Sequence, residues 1–204
     1  MSGGRRFGPL VALEEPAWVD PTATIYGKVR ICRGASIWPG AVLRAEMQEI
    51  VVGPFSNVQD LAMVHVGSRT PTAIGAYCSI AHRATIHGAR VGDNCLVGIG
   101  ATLMDGVVLG ENSIVAGHCI VVEGTVVPPN SVVAGVPGKI VARRDNWVRT
   151  RFNAFLYHWN GEAYARGEHR AWDGAEASAR MAAEWARLEA EFAGRQDAGD
   201  GSEA

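Results

Sequence analysis

One spacing constrains the fold of this chain more than any other feature: an aliphatic side chain recurs at every sixth position. The longest uninterrupted run is Val91, Val97, Leu103, Leu109, Val115, Val121, Val127 and Val133. A β-strand repeats every two residues and an α-helix about every 3.6, so this period fits neither element. It is typical of a β-helix in which three hexapeptides close one triangular coil.

The same spacing extends toward the N-terminus in shorter blocks. They are Val19, Ile25, Ile31, Ile37 and Leu43; then Val52, Val58 and Val64; then Ile74, Ile80 and Ile86. This pattern resembles the left-handed hexapeptide-repeat fold, also called the isoleucine-patch superfamily. Three cysteines, Cys78, Cys95 and Cys119, occupy the small position two residues before an aliphatic one, where we expect buried and unreactive thiols.

The pattern divides the chain into four parts. We expect an N-terminal segment over 1–18, an all-β left-handed parallel β-helix over 19–138, and C-terminal α-helices over 139–193. In the third part Met181, Trp185, Leu188 and Phe192 follow a helical spacing, which predicts an amphipathic helix. The last residues, 194–204, have a composition typical of a disordered tail.

The six-residue period is interrupted at three places. The step is nine between Leu43 and Val52, ten between Val64 and Ile74, and five between Ile86 and Val91. Loops on a rigid scaffold often carry function, so these interruptions indicate a functional edge.

Because three hexapeptides close one coil, every third aliphatic residue of the series lies on the same face. Leu43, Val64 and Ile86 therefore form one column on successive coils. The residues that follow them are Arg44, His65 and His87. Adjacent strands are about 4.8 Å apart, so His65 and His87 can share one ion.

His82 belongs to a different column, directly above Asp60, and leaves the coil from another edge. Within one chain it does not easily reach His65 and His87, but three chains around a threefold axis would bring it to the pair of a neighbour. Three histidine nitrogens with one open position form the pattern of a catalytic zinc site. The same ligands also suit Fe²⁺ or Co²⁺.

Several segments resemble the gamma-class carbonic anhydrase family. They are "VLRAE" (42–46), "NVQD" (57–60), "MVHVG" (63–67), "IAHRATIHGARVGDNCLVGIGATLMDG" (80–106) and "VVAGVPGKIV" (132–141). The resemblance implies a homotrimer with a Zn²⁺ ion between subunits, held by His65, His82 and His87, whose bound hydroxide attacks CO₂ to give bicarbonate.

The resemblance also assigns roles to polar residues near those histidines. Arg44 and Asp60 match an ion pair across the subunit interface, and Arg44 also helps to place bicarbonate. Asn57 and Gln59 match polar residues beside the metal-bound water. The chain departs from the family pattern at Arg44-Ala45-Glu46, where the usual tripeptide is R-G-D, and at Ile80-Ala81-His82, where it is I-G-H.

A third departure concerns proton transfer. The 66–73 loop has no carboxylate, whereas the best-studied branch of the family carries a glutamate proton shuttle in a long acidic loop; Glu46 or Glu49 could substitute. The same ion could instead serve a hydrolase of an acyl, thioester or amide substrate. Its pocket would include Glu46 and the C-terminal residues Tyr157, His158 and Tyr164.

Two further function classes stay open. One is a hexapeptide acyltransferase, for which His118 is the candidate base, and the other is a silent trimeric scaffold that keeps a metal for assembly. The net charge of −2 and the scattered Lys and Arg residues argue against nucleic-acid binding. No apolar run approaches the roughly 20 residues of a membrane span, and we expect a cytoplasmic enzyme with a small-molecule substrate.

Overall fold

The computed structural model describes the backbone of residues 7–200 and the side chains of residues 7–195. The described chain is a parallel β-solenoid followed by two helices. Its strands are β1 (Val11–Leu13), β2 (Trp18–Val19), β3 (Thr24–Ile31), β4 (Ser36–Ile37), β5 (Val42–Val52), β6 (Asn57–Val58), β7 (Met63–His65), β8 (Thr72–Ile74), β9 (Ser79–Ile80), β10 (Thr85–His87), β11 (Arg90–Val91), β12 (Leu96–Val97), β13 (Thr102–Leu103), β14 (Val108–Leu109), β15 (Ile114–Val115), β16 (Ile120–Val121), β17 (Val126–Val127), β18 (Ser131–Ala134) and β19 (Lys139–Arg143). The helices are α1 (Trp147–Ala165) and α2 (Gly174–Asp200).

The six-residue period sets the register of the solenoid. Leu43 pairs with Val64, Val64 with Ile86, and Ile86 with Leu103, and these side chains are fully buried. The interior is therefore a stack of aliphatic side chains, one from each face of each coil. The predicted left-handed β-helix of triangular coils is confirmed, with about seven turns.

The coils have three faces, and one of them forms a separate sheet. That sheet has eight strands in the order β19-β18-β15-β12-β9-β6-β4-β2. The other two faces form one eleven-stranded sheet, because β3 and β5 run through the corner between them. The first of these two faces contains β7, β10, β13 and β16, and the other contains β8, β11, β14 and β17.

The long step in the sequence is a bulge in β5. The pairing of β3 with β5 jumps from Gly27–Ala45 to Val29–Ile50, so residues 46–49 have no partner in β3. Gly27 has φ +81°, and a Cβ there would lie 1.7 Å from the Ala45 carbonyl oxygen. Only glycine allows the two strands to approach at the start of the bulge.

The C-terminal region covers one face of the solenoid. Helix α1 packs across β2, β4, β6 and β9 of the eight-stranded sheet, and α2 packs on α1. No helix among residues 7–200 has the length and apolar character needed to cross a membrane.

The element boundaries differ from the expected ones at three places. β1 pairs with β3, so the solenoid begins before residue 19. β19 is a strand within the region expected to be helical, and it pairs antiparallel with β18, which protects the edge of the sheet. Residues 194–200, expected in a disordered tail, continue α2. Residues 1–6 and 201–204 of the predicted terminal segments lie outside the described residues.

The cysteines are buried in the solenoid and form no disulfide. The neighbouring Cys78 thiol and burial together raise the pKa of the Cys95 thiol well above its usual range. Its Sγ donates a hydrogen bond to the Gly110 carbonyl at 3.2 Å. A protonated, buried thiol fits the packing role expected from the sequence.

Candidate metal centre

Two histidines lie side by side at one corner of the solenoid. His65 ends β7 and His87 ends β10, and the two are directly paired in the parallel ladder. Their ring centroids are 5.0 Å apart. The adjacency predicted from the column count is confirmed.

Each of these two rings faces a carboxylate. Glu46 Oε2 lies 3.1 Å from Nε2 of His65, and Asp105 Oδ1 lies 3.2 Å from Nδ1 of His87. The second contact is close enough for an ion pair, but its angle does not make a hydrogen bond. Nδ1 of His87 is therefore a buried polar atom without a hydrogen-bond partner among the described residues.

The β5 bulge supplies Glu46 to this corner. Partial desolvation raises the pKa of the Glu46 carboxyl, but hydrogen bonds from Arg44 and His65 outweigh it, so the pKa lies below its usual range. Glu46 is thus ionised at neutral pH. Glu49, the other carboxylate suggested by the sequence, pairs instead with Lys28 at 2.8 Å.

His82 lies at a different corner, in the turn after β9. Its Nδ1 is 3.0 Å from Oδ2 of Asp60, as the column count predicts for the neighbouring coil. Its Nε2 is 3.3 Å from the hydroxyl oxygen of Tyr157 in α1. In the part of the chain with described side chains, no three His, Cys, Asp or Glu residues converge as metal ligands. Within one protomer His82 therefore does not join His65 and His87.

Aromatic side chains line the His82 corner. Tyr157 and Tyr164 of α1 pack edge-on against Trp38, at centroid distances of 5.5 and 5.0 Å. Burial, with a smaller effect from Asp60, raises the pKa of Tyr157 to about 12. The Tyr157 phenol is therefore neutral at physiological pH.

Comparison with known proteins identifies the family. The description "Bacterial transferase hexapeptide (six repeats)" matches residues 88–123. A protein of Methanocaldococcus jannaschii named "Probable carbonic anhydrase" is 50% identical over 119 residues, which cover 58% of this chain and 75% of that protein. "Gamma carbonic anhydrase 2, mitochondrial" of Arabidopsis thaliana is 45% identical over 106 residues.

The chain belongs to the gamma carbonic anhydrase-like family of hexapeptide-repeat proteins. The match to the plant protein covers 49% of this chain but only 37% of the plant protein, so the chain spans just over a third of that relative. Among solved structures, a putative acetyltransferase of Bacillus cereus superposes with a TM-score of 0.70 over 78% of this chain and 91% of the other. At 23% sequence identity this likeness supports the fold alone.

The polar residues that match the family pattern are buried under α1. Gln59 donates a hydrogen bond to Asn57 Oδ1 at 2.9 Å, and Asn57 donates to Ser79 Oγ at 3.0 Å. Ser79 in turn donates to Asn153 of α1 at 2.7 Å. This chain of hydrogen bonds fixes the amide of Gln59, the residue next to Asp60.

The ion pair expected between Arg44 and Asp60 does not form within the protomer. Arg44 binds Glu46, and Asp60 faces His82. The family resemblance places that pair across an interface between chains. Arg44 is nevertheless in register with His65 on the neighbouring strand, at the same corner.

His158 lies away from both histidine corners. Its Nδ1 contacts the Gly34 carbonyl oxygen at 2.9 Å, and its ring packs edge-on against Phe55. These contacts place it at the opposite edge of the eight-stranded sheet from His82. Tyr157 contacts His82, but His158 does not reach the His82 corner of its own chain, where the sequence placed it in a substrate pocket.

Asp105 is a site residue that the sequence analysis missed. It accepts a hydrogen bond from Thr70 at 2.8 Å and faces His87. The signal was present in "LMDG", where a carboxylate lies one coil after the His87 turn. The one-residue deletion at that turn hid the alignment of the two positions.

The donor set fits a metal ion. A histidine ligand commonly presents its second ring nitrogen to a carboxylate, which fixes the orientation of the ring. Here His65, His82 and His87 each have a carboxylate oxygen 3.0–3.2 Å from one ring nitrogen. The other nitrogens of His65 and His87 make no hydrogen bond among the described side chains. That of His82 contacts the Tyr157 hydroxyl at 3.3 Å, a contact that metal binding by His82 would replace.

Proposed function

We propose that this protein is a metal-dependent enzyme of the gamma carbonic anhydrase type that hydrates CO₂ to bicarbonate. Its ligands would be His65 and His87 of one protomer and His82 of a neighbour in a homotrimer. The observation that carries the proposal is that three histidines at two corners each face a carboxylate. A single chain offers two of them together, at a ring distance of 5.0 Å.

The metal would supply one chemical function. A zinc-like ion lowers the pKa of a bound water to about 7, which gives a nucleophile at neutral pH. Imidazole ligands suit Zn²⁺ and also Fe²⁺ or Co²⁺.

The protein's own groups would handle the proton and the anion. Glu46 is ionised and 3.1 Å from His65, so it offers a proton acceptor beside the histidine pair. Arg44 bears a planar guanidinium suited to a carboxylate-like product such as bicarbonate. Asn57 would act through Gln59, whose amide it orients toward the Asp60 corner.

Exposed apolar side chains support the association of chains. Leu61 and Ile99, in turns flanking the His82 corner, are 63% and 44% exposed. Met47, in the bulge beside Glu46, is 70% exposed. Burial of such side chains stabilises association, and a trimer with contacts at both corners would bury them.

A second function uses the same ion. Tyr157, Tyr164 and Trp38 form an aromatic surface beside His82, and CO₂ does not require so large an apolar lining. An acyl, thioester or amide substrate would pack against it. On this alternative the enzyme is a metal-dependent hydrolase.

The experiment begins with elemental analysis of the purified protein. We expect about one divalent ion per chain, lost in His65→Ala and retained in His118→Ala, since His118 lies on another turn. Stopped-flow CO₂ hydration then separates the two activities. A rate near background, with ester hydrolysis that disappears in His65→Ala, would favour the hydrolase. Wild-type protein with no metal, and with unchanged properties in His65→Ala, would eliminate both.

A further inference from the structure

A second candidate site lies at the corner opposite the histidines. Phe55 and Tyr77 occupy equivalent positions on successive coils, with φ of +56° for each. Their rings are stacked, with centroids 5.2 Å apart. Asn94, Asn112 and Asn130 have the same left-handed conformation at the equivalent turns of later coils, so this conformation is the regular geometry of the corner and stacks the two rings. We call this pair the aromatic corner.

A cationic side chain of α1 packs against the aromatic corner. The Arg151 guanidinium carbon lies 3.4 Å from the centroid of the Tyr77 ring. Nη1 of Arg151 is buried and has no hydrogen-bond partner among the residues with described side chains. A ring face attracts the charge but does not accept the directional hydrogen bond of this N–H group. The guanidinium also has a hydrogen-bond interaction with the Tyr77 side chain, so the donor that the fold leaves unused is Nη1.

The nearby carboxylates are already bound by another arginine. Arg187 of α2 donates to both oxygens of Glu184, at 2.7 and 2.9 Å, and to Glu191 at 2.9 Å. Glu191 attracts the Arg151 guanidinium electrostatically, but among the residues with described side chains neither carboxylate forms an ion pair with it. A small anion would supply the missing acceptor.

A cavity of about 180 Å³ adjoins Arg151, between α1, α2 and the aromatic corner. Its walls are the aromatic corner, Arg151, three further residues of α1 (Ala154, Phe155 and His158), and the paired Glu184 and Arg187 of α2. Its volume equals that of about six water molecules at about 30 Å³ each. It is smaller than the roughly 300–1,000 Å³ of pockets for larger ligands, which excludes a nucleotide or a coenzyme thioester.

We propose that this cavity binds a small monocarboxylate with a flat apolar body, whose carboxylate pairs with Arg151 and whose body packs against the aromatic corner. A guanidinium and a carboxylate match in geometry and charge. The cavity is separate from the histidine corners, so this binding function goes beyond the proposed reaction and does not depend on it.

Isothermal titration of the 204-residue chain with benzoate tests the proposal. We expect saturable binding of benzoate, and binding of the neutral isostere benzamide that is at least about tenfold weaker. Inorganic phosphate, which lacks the apolar body, should also bind more weakly. Because benzoate could also coordinate a metal, the titration is repeated with His65→Ala, in which binding to the cavity should persist.

Two arginine variants provide the matched comparison. Arg151→Met removes the charge and should weaken benzoate binding at least about tenfold. Arg180 of α2 also packs over aromatic rings, that of Trp159 at 4.3 Å and that of Phe155 at 5.6 Å. It does not itself line the cavity, so Arg180→Met should bind as the wild type does. Circular dichroism confirms that each variant is folded.

If Arg151→Met does not fold, the wild-type protein still decides the question. Magnetisation transfer between benzoate protons and the Tyr77 ring in NMR spectra would place the ligand in the cavity. The proposal is overturned by equal affinities for benzoate and benzamide, by absence of saturable binding, by loss of binding in His65→Ala, or by an equal loss in Arg180→Met.

Discussion

Replacement of Asp105 by asparagine tests whether the carboxylates beside the histidines support a metal. Asp105 lies 3.2 Å from Nδ1 of His87 and accepts a hydrogen bond from Thr70. Asparagine has nearly the same shape, and its side-chain oxygen can still accept from Thr70. The substitution therefore removes the negative charge next to His87 with little change in packing.

The size of the effect follows from the geometry. Loss of a carboxylate partner of a ligating histidine typically costs about 10–100-fold in metal affinity, or about 1.4–2.7 kcal/mol. The side chains of His87 and Asp105 are 33% and 36% exposed, so water screens part of the interaction. We therefore expect a loss near the lower limit, about tenfold.

The measurement is a competition titration of zinc between the protein and a fluorescent chelator of known affinity. Asp93→Asn is the matched control, because Asp93 accepts a hydrogen bond from the Ala76 backbone at another turn and faces no histidine. An unchanged affinity in Asp105→Asn, or an equal loss in Asp93→Asn, would refute the reasoning. Thermal melts of both variants separate a local effect from general destabilisation.

Two further predictions concern pH and stability. The pKa of Tyr157 is raised to about 12, so the folded state binds the phenol proton more tightly than the unfolded chain does. The contribution of Tyr157 to the free energy of unfolding should therefore fall as pH rises from about 10 to about 12. Ultraviolet titration should show one phenol ionising near pH 12, and Tyr157→Phe should remove that ionisation step. Ionisation of all tyrosines near pH 10 would contradict the raised pKa of Tyr157. Gly124→Ala should cost about 1–2 kcal/mol because φ is +68° in open space, whereas Gly27→Ala should cost more, since its Cβ would lie 1.7 Å from the Ala45 oxygen. Equal melting temperatures for the two variants would show that the close approach of β3 and β5 does not limit stability.

The sequence was sufficient to predict the solenoid and the histidine pair. Each coil must bury one aliphatic side chain per face, so the six-residue period sets the register as well as the fold. His65 and His87 follow aliphatic residues of one column, and their adjacency depends on that register alone. The position of His82 above Asp60 is predictable for the same reason.

The supporting carboxylates could not be placed in the same way. Glu46 lies in a bulge and Asp105 follows a one-residue deletion, and the period does not determine where side chains point in such interruptions. The helix raised a different difficulty. Tyr157 and His158 are neighbours in sequence, yet one reaches His82 and the other reaches Gly34, because the docking of α1 on the sheet decides which side of the helix each faces.

Elements outside the repeat were also the least predictable. β19 lacks the six-residue period, and its antiparallel pairing satisfies the free edge of β18 rather than continuing a coil. Asn57 and Gln59 are buried, and their hydrogen bonds continue through Ser79 to Asn153 of α1. Such contacts join distant parts of the chain, and no local pattern specifies them.

The most direct test of a metal site shared between chains is subunit complementation. His65→Ala chains and His82→Ala chains each lack a ligand at every site of a pure trimer, so each should bind little metal alone. In trimers reassembled at random from equal amounts, about one quarter of the interfaces combine the intact His65 with the intact His82. The account predicts recovery of about one quarter of the wild-type metal content. No recovery in mixed trimers, or full metal binding by either variant alone, would contradict it.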